Sequence, residues 1–125
     1  MMRFMMLMLP GAKVEAGILP DSKVFAAMMK YNEDLQKAGV LLALDGLHPS
    51  SKGVRISFSG GKRTVTDGPF TEAKEMIGGY WLIQVKSKEE AVEWASRFIR
   101  LHRDLWPGWT GATDVLQVMG PPPAE

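Results

Sequence analysis

Residues 2–9, Met-Arg-Phe-Met-Met-Leu-Met-Leu, limit the fold more than any other stretch of this chain. Read as a strand, they place Phe4, Met6 and Met8 on one face and Met5, Leu7 and Leu9 on the other, because successive side chains alternate. A strand that is apolar on both faces has to be covered on both. A chain of 125 residues makes one domain with a real core. Helices in so small a domain usually cover one face of a sheet, so a partner subunit is the simplest cover for the other.

The rest of the chain supplies the remaining elements in turn. Pro10-Gly11 ends the first strand, and residues 11–20 form a loop with room for a short turn. A helix starts at Asp21 or Ser22, carries the apolar stripe Val24, Met28, Tyr31, Leu35 and Ala38, and stops at Gly39. The methionines around that stripe are adaptable core rather than a cofactor box. Val40 to Leu47 is a second strand. Val54, Ile56 and Phe58 then alternate with Arg55, Ser57 and Ser59, which predicts a half-buried strand with one polar face. Gly60-Gly61 turns it into a hairpin over residues 54–66. Ile77 to Lys86 alternates again, with Trp81, Ile83 and Val85 on one face and Tyr80, Leu82 and Gln84 on the other. Ser87-Lys88-Glu89-Glu90 is a capping box opening a second long helix that buries Ala91 or Val92, Ala95, Phe98 and Ile99. A last strand covers Thr113 to Met119, and residues 121–125 form a Pro-rich tail after a single domain at 1–120.

This order, β-α-β, hairpin, β-α-β, gives an α+β fold: a ferredoxin-like split βαβ subunit with an inserted β-hairpin. The hairpin leads into Val65-Thr66-Asp67-Gly68-Pro69-Phe70-Thr71-Glu72-Ala73-Lys74-Glu75, where turn formers, acids, a base and an aromatic crowd together without a regular period. Asp67-Gly68 is a strong turn dipeptide, and Pro69 pushes Gly68 out of the helical region. Thr71 is an N-cap candidate, with Glu72 in the first helical turn. Asp67 therefore belongs at a strand end, either capping the turn or facing a cleft.

The run Asp67 to Glu75, followed by Gly78-Gly79-Tyr80-Trp81-Leu82-Ile83, closely resembles the signature of DGPF-domain proteins of the YCII-related family. The resemblance implies that two such sheets pair face to face as a dimeric α+β barrel, with the site in the cleft between sheet and hairpin. It also implies a His–Asp pair. The family's histidine usually lies in or near the first strand, however, and this chain has Phe4 and Met5 there. The final strand of the family often carries Glu-x-Arg-Gln, whereas Asp114-Val115-Leu116-Gln117 has leucine in place of the arginine.

Candidate chemistry gathers near the turn. Asp67 and His48 are the candidate catalytic residues, since a histidine beside a carboxylate is the minimal acid–base unit. Arg55, Arg63, Phe70 and Tyr80 are candidate ligand-binding residues: the arginines and Lys74 for an anionic group, the aromatics as pocket walls. For each, an ordinary surface pair or loop position is the competing reading. His102, beside Arg100 and Arg103, reads as a structural histidine at the polar end of a helix. Trp106 and Trp109 either close a pocket mouth or pin a loop.

Composition excludes several classes. There are no cysteines, and the two histidines are far apart, so no metal, disulfide or thiol chemistry is expected, and no cofactor. A net charge of +1 without a like-charge block argues against nucleic acid and membrane surfaces. No stretch approaches the roughly 20 apolar residues of a membrane span, and Met1 to Leu9 is too short and badly flanked for a signal peptide. A cytoplasmic homodimer with a small-molecule ligand is expected. Three functions stay open: a cofactor-free enzyme of small organic acids or lactones, a ligand-binding or regulatory protein without turnover, or a protein-interaction module of the kind that accompanies alternative sigma factors in the family resembled.

Overall fold

The computed structural model describes residues 1–70 and 76–120. The expected helix start at Thr71, the residues Glu72 and Lys74, and the tail at 121–125 lie outside the described residues. Six strands and three helices follow in the order β1 (Met2–Leu9), α1 (Ala12–Glu15), α2 (Ser22–Lys37), β2 (Leu41–Gly46), β3 (Val54–Ser59), β4 (Lys62–Asp67), β5 (Gly79–Val85), α3 (Lys88–Leu105) and β6 (Ala112–Gln117). A short 3-10 turn at Ser50–Lys52 precedes β3.

Four strands form one antiparallel sheet in the order β2-β5-β1-β6, while β3 and β4 pair only with each other. Each long helix connects strands that are not neighbours, which is the ferredoxin-like arrangement expected from the element order. The helices start where local chemistry places them. Asp21 accepts the Val24 N–H at 2.9 Å, and Ser87 accepts the Glu90 N–H at 3.1 Å while Glu90 reaches back to the Lys86 N–H at 3.1 Å. The returned bond lands one residue before the cap, a variant of the capping box.

Both helices pack on one face of the sheet. Phe4, Met6, Trp81, Ile83 and Val85 meet Tyr31, Leu35, Ala91, Ala95 and Phe98 in a single core. Four rings organise it: Trp81 stands edge-on to Tyr31 at 5.9 Å and to Phe98 at 4.6 Å, and Trp94 edge-on to Tyr31 at 6.1 Å. The polar handles of two of them find partners, Trp81 Nε1 donating to Asn32 Oδ1 and the Tyr31 hydroxyl to the Trp94 carbonyl. Asp34, bonded to Lys30 and Arg97, ties α2 to α3 at the surface.

The other face of the sheet is open. The register sets Arg3 beside Gln84, Met5 between Leu82 and Leu116, Leu7 between Tyr80 and Asp114, and Asp45 beside Tyr80. The open face is thus an apolar band of Met5, Leu7, Leu82 and Leu116, with Asp45, Tyr80 and Asp114 in one row at its end. β2 carries one extra residue at Leu42, where its register against β5 shifts.

Two sequence expectations change. The hairpin was expected to bury one face, yet every residue of β3 and β4 is exposed, with Ile56 at 63% and Phe58 at 77%. Alternation reports that a strand has an apolar face; it does not report what covers that face. The choice between Ala91 and Val92 resolves to Ala91, since Val92 is exposed.

Candidate functional site

The strand ends gather on one side of the molecule. β1 and β2 end there and β5 and β6 begin there, and Gly78 joins them by donating to the Met8 carbonyl and accepting from the Leu47 N–H. The segment that follows Leu47 carries His48 and Ser50, and it holds the turn after β4. Gly68 donates to the Gly53 carbonyl at 3.0 Å, and Phe70 donates to Ser50 Oγ at 3.0 Å. Ser50 is held in turn by Glu15, whose carboxylate accepts from the Ser50 N–H at 2.8 Å and from its hydroxyl. A Cβ on Gly68 would lie 1.6 Å from the Ser50 carbonyl oxygen, so only glycine allows this backbone approach.

Within that frame Asp67 is the last residue of β4, exposed, with no hydrogen bond or ion pair to any described side chain. Its backbone neighbours are tied down, while its carboxylate is not held by any described residue. Paired strand residues share a face. Asp67 pairs with Val54, Val65 with Ile56 and Arg63 with Phe58, so Asp67 and Arg63 flank an exposed apolar hairpin face. Arg55 lies on the opposite face, with its guanidinium 4.2 Å from the centre of the Phe70 ring. The two arginines read from the sequence as one cluster are therefore divided between two faces.

His48 is exposed in the loop after β2, and no hydrogen bond or ion pair joins it to Asp67 among the described residues. Tyr80 is half-buried on the open sheet face, between Asp45 and Leu7. Sequence reasoning passed over three residues at this end: Glu15 and Ser50, which anchor the turn, and Asp45, which shares the row of Tyr80 and Asp114. The anchors had no sequence signal, since they lie 35 residues apart and meet only through the fold. Asp45 had one, the strand-end Asp-Gly pair. No cluster of three metal-ligating side chains occurs among the described residues, and none of their helices is long and apolar enough to cross a membrane.

His102 differs most from its expected place. It is buried at 2% exposure rather than on a polar helix end, with Nδ1 3.0 Å from the Phe98 carbonyl and its ring packed at 4.3 Å on Phe98 and 4.7 Å on Trp109. Ala91, Ala95, Phe98 and His102 recur at four, three and four residues, the stripe of a helix face. The flanking arginines concealed that period.

These features define an α+β protein of ferredoxin-like strand order, with helices on one sheet face and a tied turn beside the other. The chain belongs to the YCII-related family: the model of the YCII-related domain matches residues 2–102. It is also similar to an uncharacterised protein of Rhizobium meliloti (strain 1021), 32% identical over 75 residues, which is 60% of each chain. The match thus spans less than two thirds of that relative's length.

Proposed function

We propose that two copies pair through their open sheet faces as a dimeric α+β barrel, and that the cleft at the strand ends acts without a cofactor on a small lactone. The observation that carries this reading is the contrast at the turn: Gly68 and Phe70 are anchored, while the Asp67 carboxylate has no protein partner among the described residues. Pro69, two residues on, offers that carboxylate no N–H, and the Phe70 N–H is taken by Ser50. In this reading Asp67 removes a proton next to the lactone carbonyl, and Arg63, on the same hairpin face, stabilises the charge on the carbonyl oxygen. Asp45 and Asp114, on the open face at this end, favour an uncharged lactone over a free organic acid. His48, in the adjoining loop, is the candidate for returning the proton.

The experiment is a lactone panel tested by thermal shift, with deuterium exchange at the ligand's α-carbon followed by NMR, on wild type and Asp67→Asn together. A lactone that raises the wild-type melting temperature and exchanges its α-hydrogen only with wild type supports the assignment. If nothing shifts either protein and Asp67→Asn only melts lower, Asp67 is turn architecture and the enzyme reading fails. The lack of a His48–Asp67 link favours a second reading, binding without turnover. Stabilisation by a lactone with no exchange would select it.

A further inference from the structure

Beside the Tyr31 phenol, His102 is the buried residue of the described core with an ionisable side chain, and the one whose ordinary pKa lies near neutrality. Its ring lines a cavity of about 100 Å³ together with Met8, Val14, Met28, Trp106 and Trp109. The cavity lies on the helix side of the sheet, within one subunit, and shares no lining residue with the Asp67 turn. Its outer wall is Val14 of α1 with Pro10, Pro20, Trp106 and Trp109, and beside it the two segments meet closely, where a Cβ on Gly11 would lie 2.0 Å from the Thr110 carbonyl oxygen. This is a built pocket rather than a gap between loose loops.

The chemistry of the pocket follows from the histidine's tautomer. A carbonyl only accepts, so the contact between Nδ1 and the Phe98 oxygen places the ring proton on Nδ1. Burial disfavours a second proton. Nε2 then carries a bare lone pair, and it has no hydrogen-bond partner among the described residues. Every other wall of the cavity is an apolar or aromatic side chain, apart from the Trp N–H groups, which donate only. A volume of about 100 Å³ holds about three waters' worth of liquid volume, the scale of one small ring.

We propose that this cavity is a binding site for a compact neutral molecule with an apolar body and one N–H or O–H donor, received by His102 Nε2. The proposal stands apart from the barrel cleft and from the pairing of subunits. A site of this kind would register a small metabolite inside each subunit, because its occupant contacts β1, α1, α2 and α3 together with Pro10, Pro20 and the segment at 106–109.

The test uses the whole protein with two aromatic rings of nearly equal size, pyrazole, which has an N–H donor, and isoxazole, in which an oxygen replaces that N–H. Long-range 1H–15N spectra resolve both histidines, and His48 serves as the exposed internal control. Pyrazole is expected to shift the His102 Nε2 signal saturably and leave His48 unmoved. Isoxazole should bind about tenfold more weakly, the cost of one unmade hydrogen bond. Val14→Phe fills the cavity without touching the histidine and should abolish the shift. The proposal is overturned if His102 proves to carry its neutral proton on Nε2, if pyrazole gives no saturable shift, or if isoxazole binds equally well.

Discussion

A single side chain can set how a whole fold responds to acid, and His102 is the residue placed to do so here. Its desolvation lowers its pKa from the ordinary 6.5, with the Phe98 carbonyl opposing that shift more weakly. The unfolded chain therefore takes up a proton more readily than the folded one as pH falls past 6.5. His102 costs the fold nothing above that pH and destabilises it progressively below, until pH passes through the lowered folded-state value. Urea midpoints should thus fall as pH drops from neutral through 6.5 and below. His102→Phe, which cannot titrate, should flatten that part of the profile even if it lowers stability throughout. An unchanged slope in the variant would show that some other group governs this window.

Among the elements, the hairpin of β3 and β4 is held differently from everything else. It buries none of its residues and joins the remainder through the Gly68–Gly53 and Phe70–Ser50 bonds. Elements with few buried contacts open locally at low cost. Gly68→Ala drives a methyl group into the Ser50 carbonyl and should cost about 1–3 kcal/mol, the range for overpacking. The loss should be local: hydrogen exchange should speed up across 54–70 while the four-stranded sheet keeps its protection. Gly53→Ala is the control, since its Cβ would lie an ordinary 3.4 Å from the same carbonyl oxygen. Equal effects from the two variants would mean that Gly68 is not a close-approach position. The hairpin also shows what a sequence states plainly and what it omits. Period and turn chemistry made its strands, the Gly60-Gly61 turn and the position of Asp67 legible. The same two-residue turn sets Phe58 against Arg63 and so puts Arg55 and Arg63 on opposite faces, a consequence that reading the arginines as one cluster overlooks. The anchoring of Phe70 by Ser50 and Glu15 was hidden, since no local pattern links three separate segments. His102 was legible in principle, as the fourth member of a helical stripe, but its charged neighbours outweighed the period.

At the scale of the molecule, the unresolved demand is the open face that the first strand announced. Met5, Leu7, Leu82 and Leu116 form its apolar band, and the exposed Val54, Ile56, Phe58 and Val65 of the hairpin add a second apolar surface. Monomeric proteins seldom leave such contiguous apolar surface in water. In the proposed pair, the two-fold axis sets the same band of each copy against the other. Association of that kind links stability to concentration, so the melting temperature of wild type should rise as protein concentration is raised. Leu116→Lys is the informative variant, because Leu116 is 54% exposed in the subunit and its replacement leaves the helix-side core untouched. Each pairing would bring two lysines into an apolar contact, where unpaired charge is strongly disfavoured. The variant should sediment as a monomer and melt at one temperature whatever its concentration, close to that of dilute wild type. A wild-type melting temperature independent of concentration, with monomeric sedimentation throughout, would remove the barrel and leave the Asp67 turn open to solvent on a single subunit.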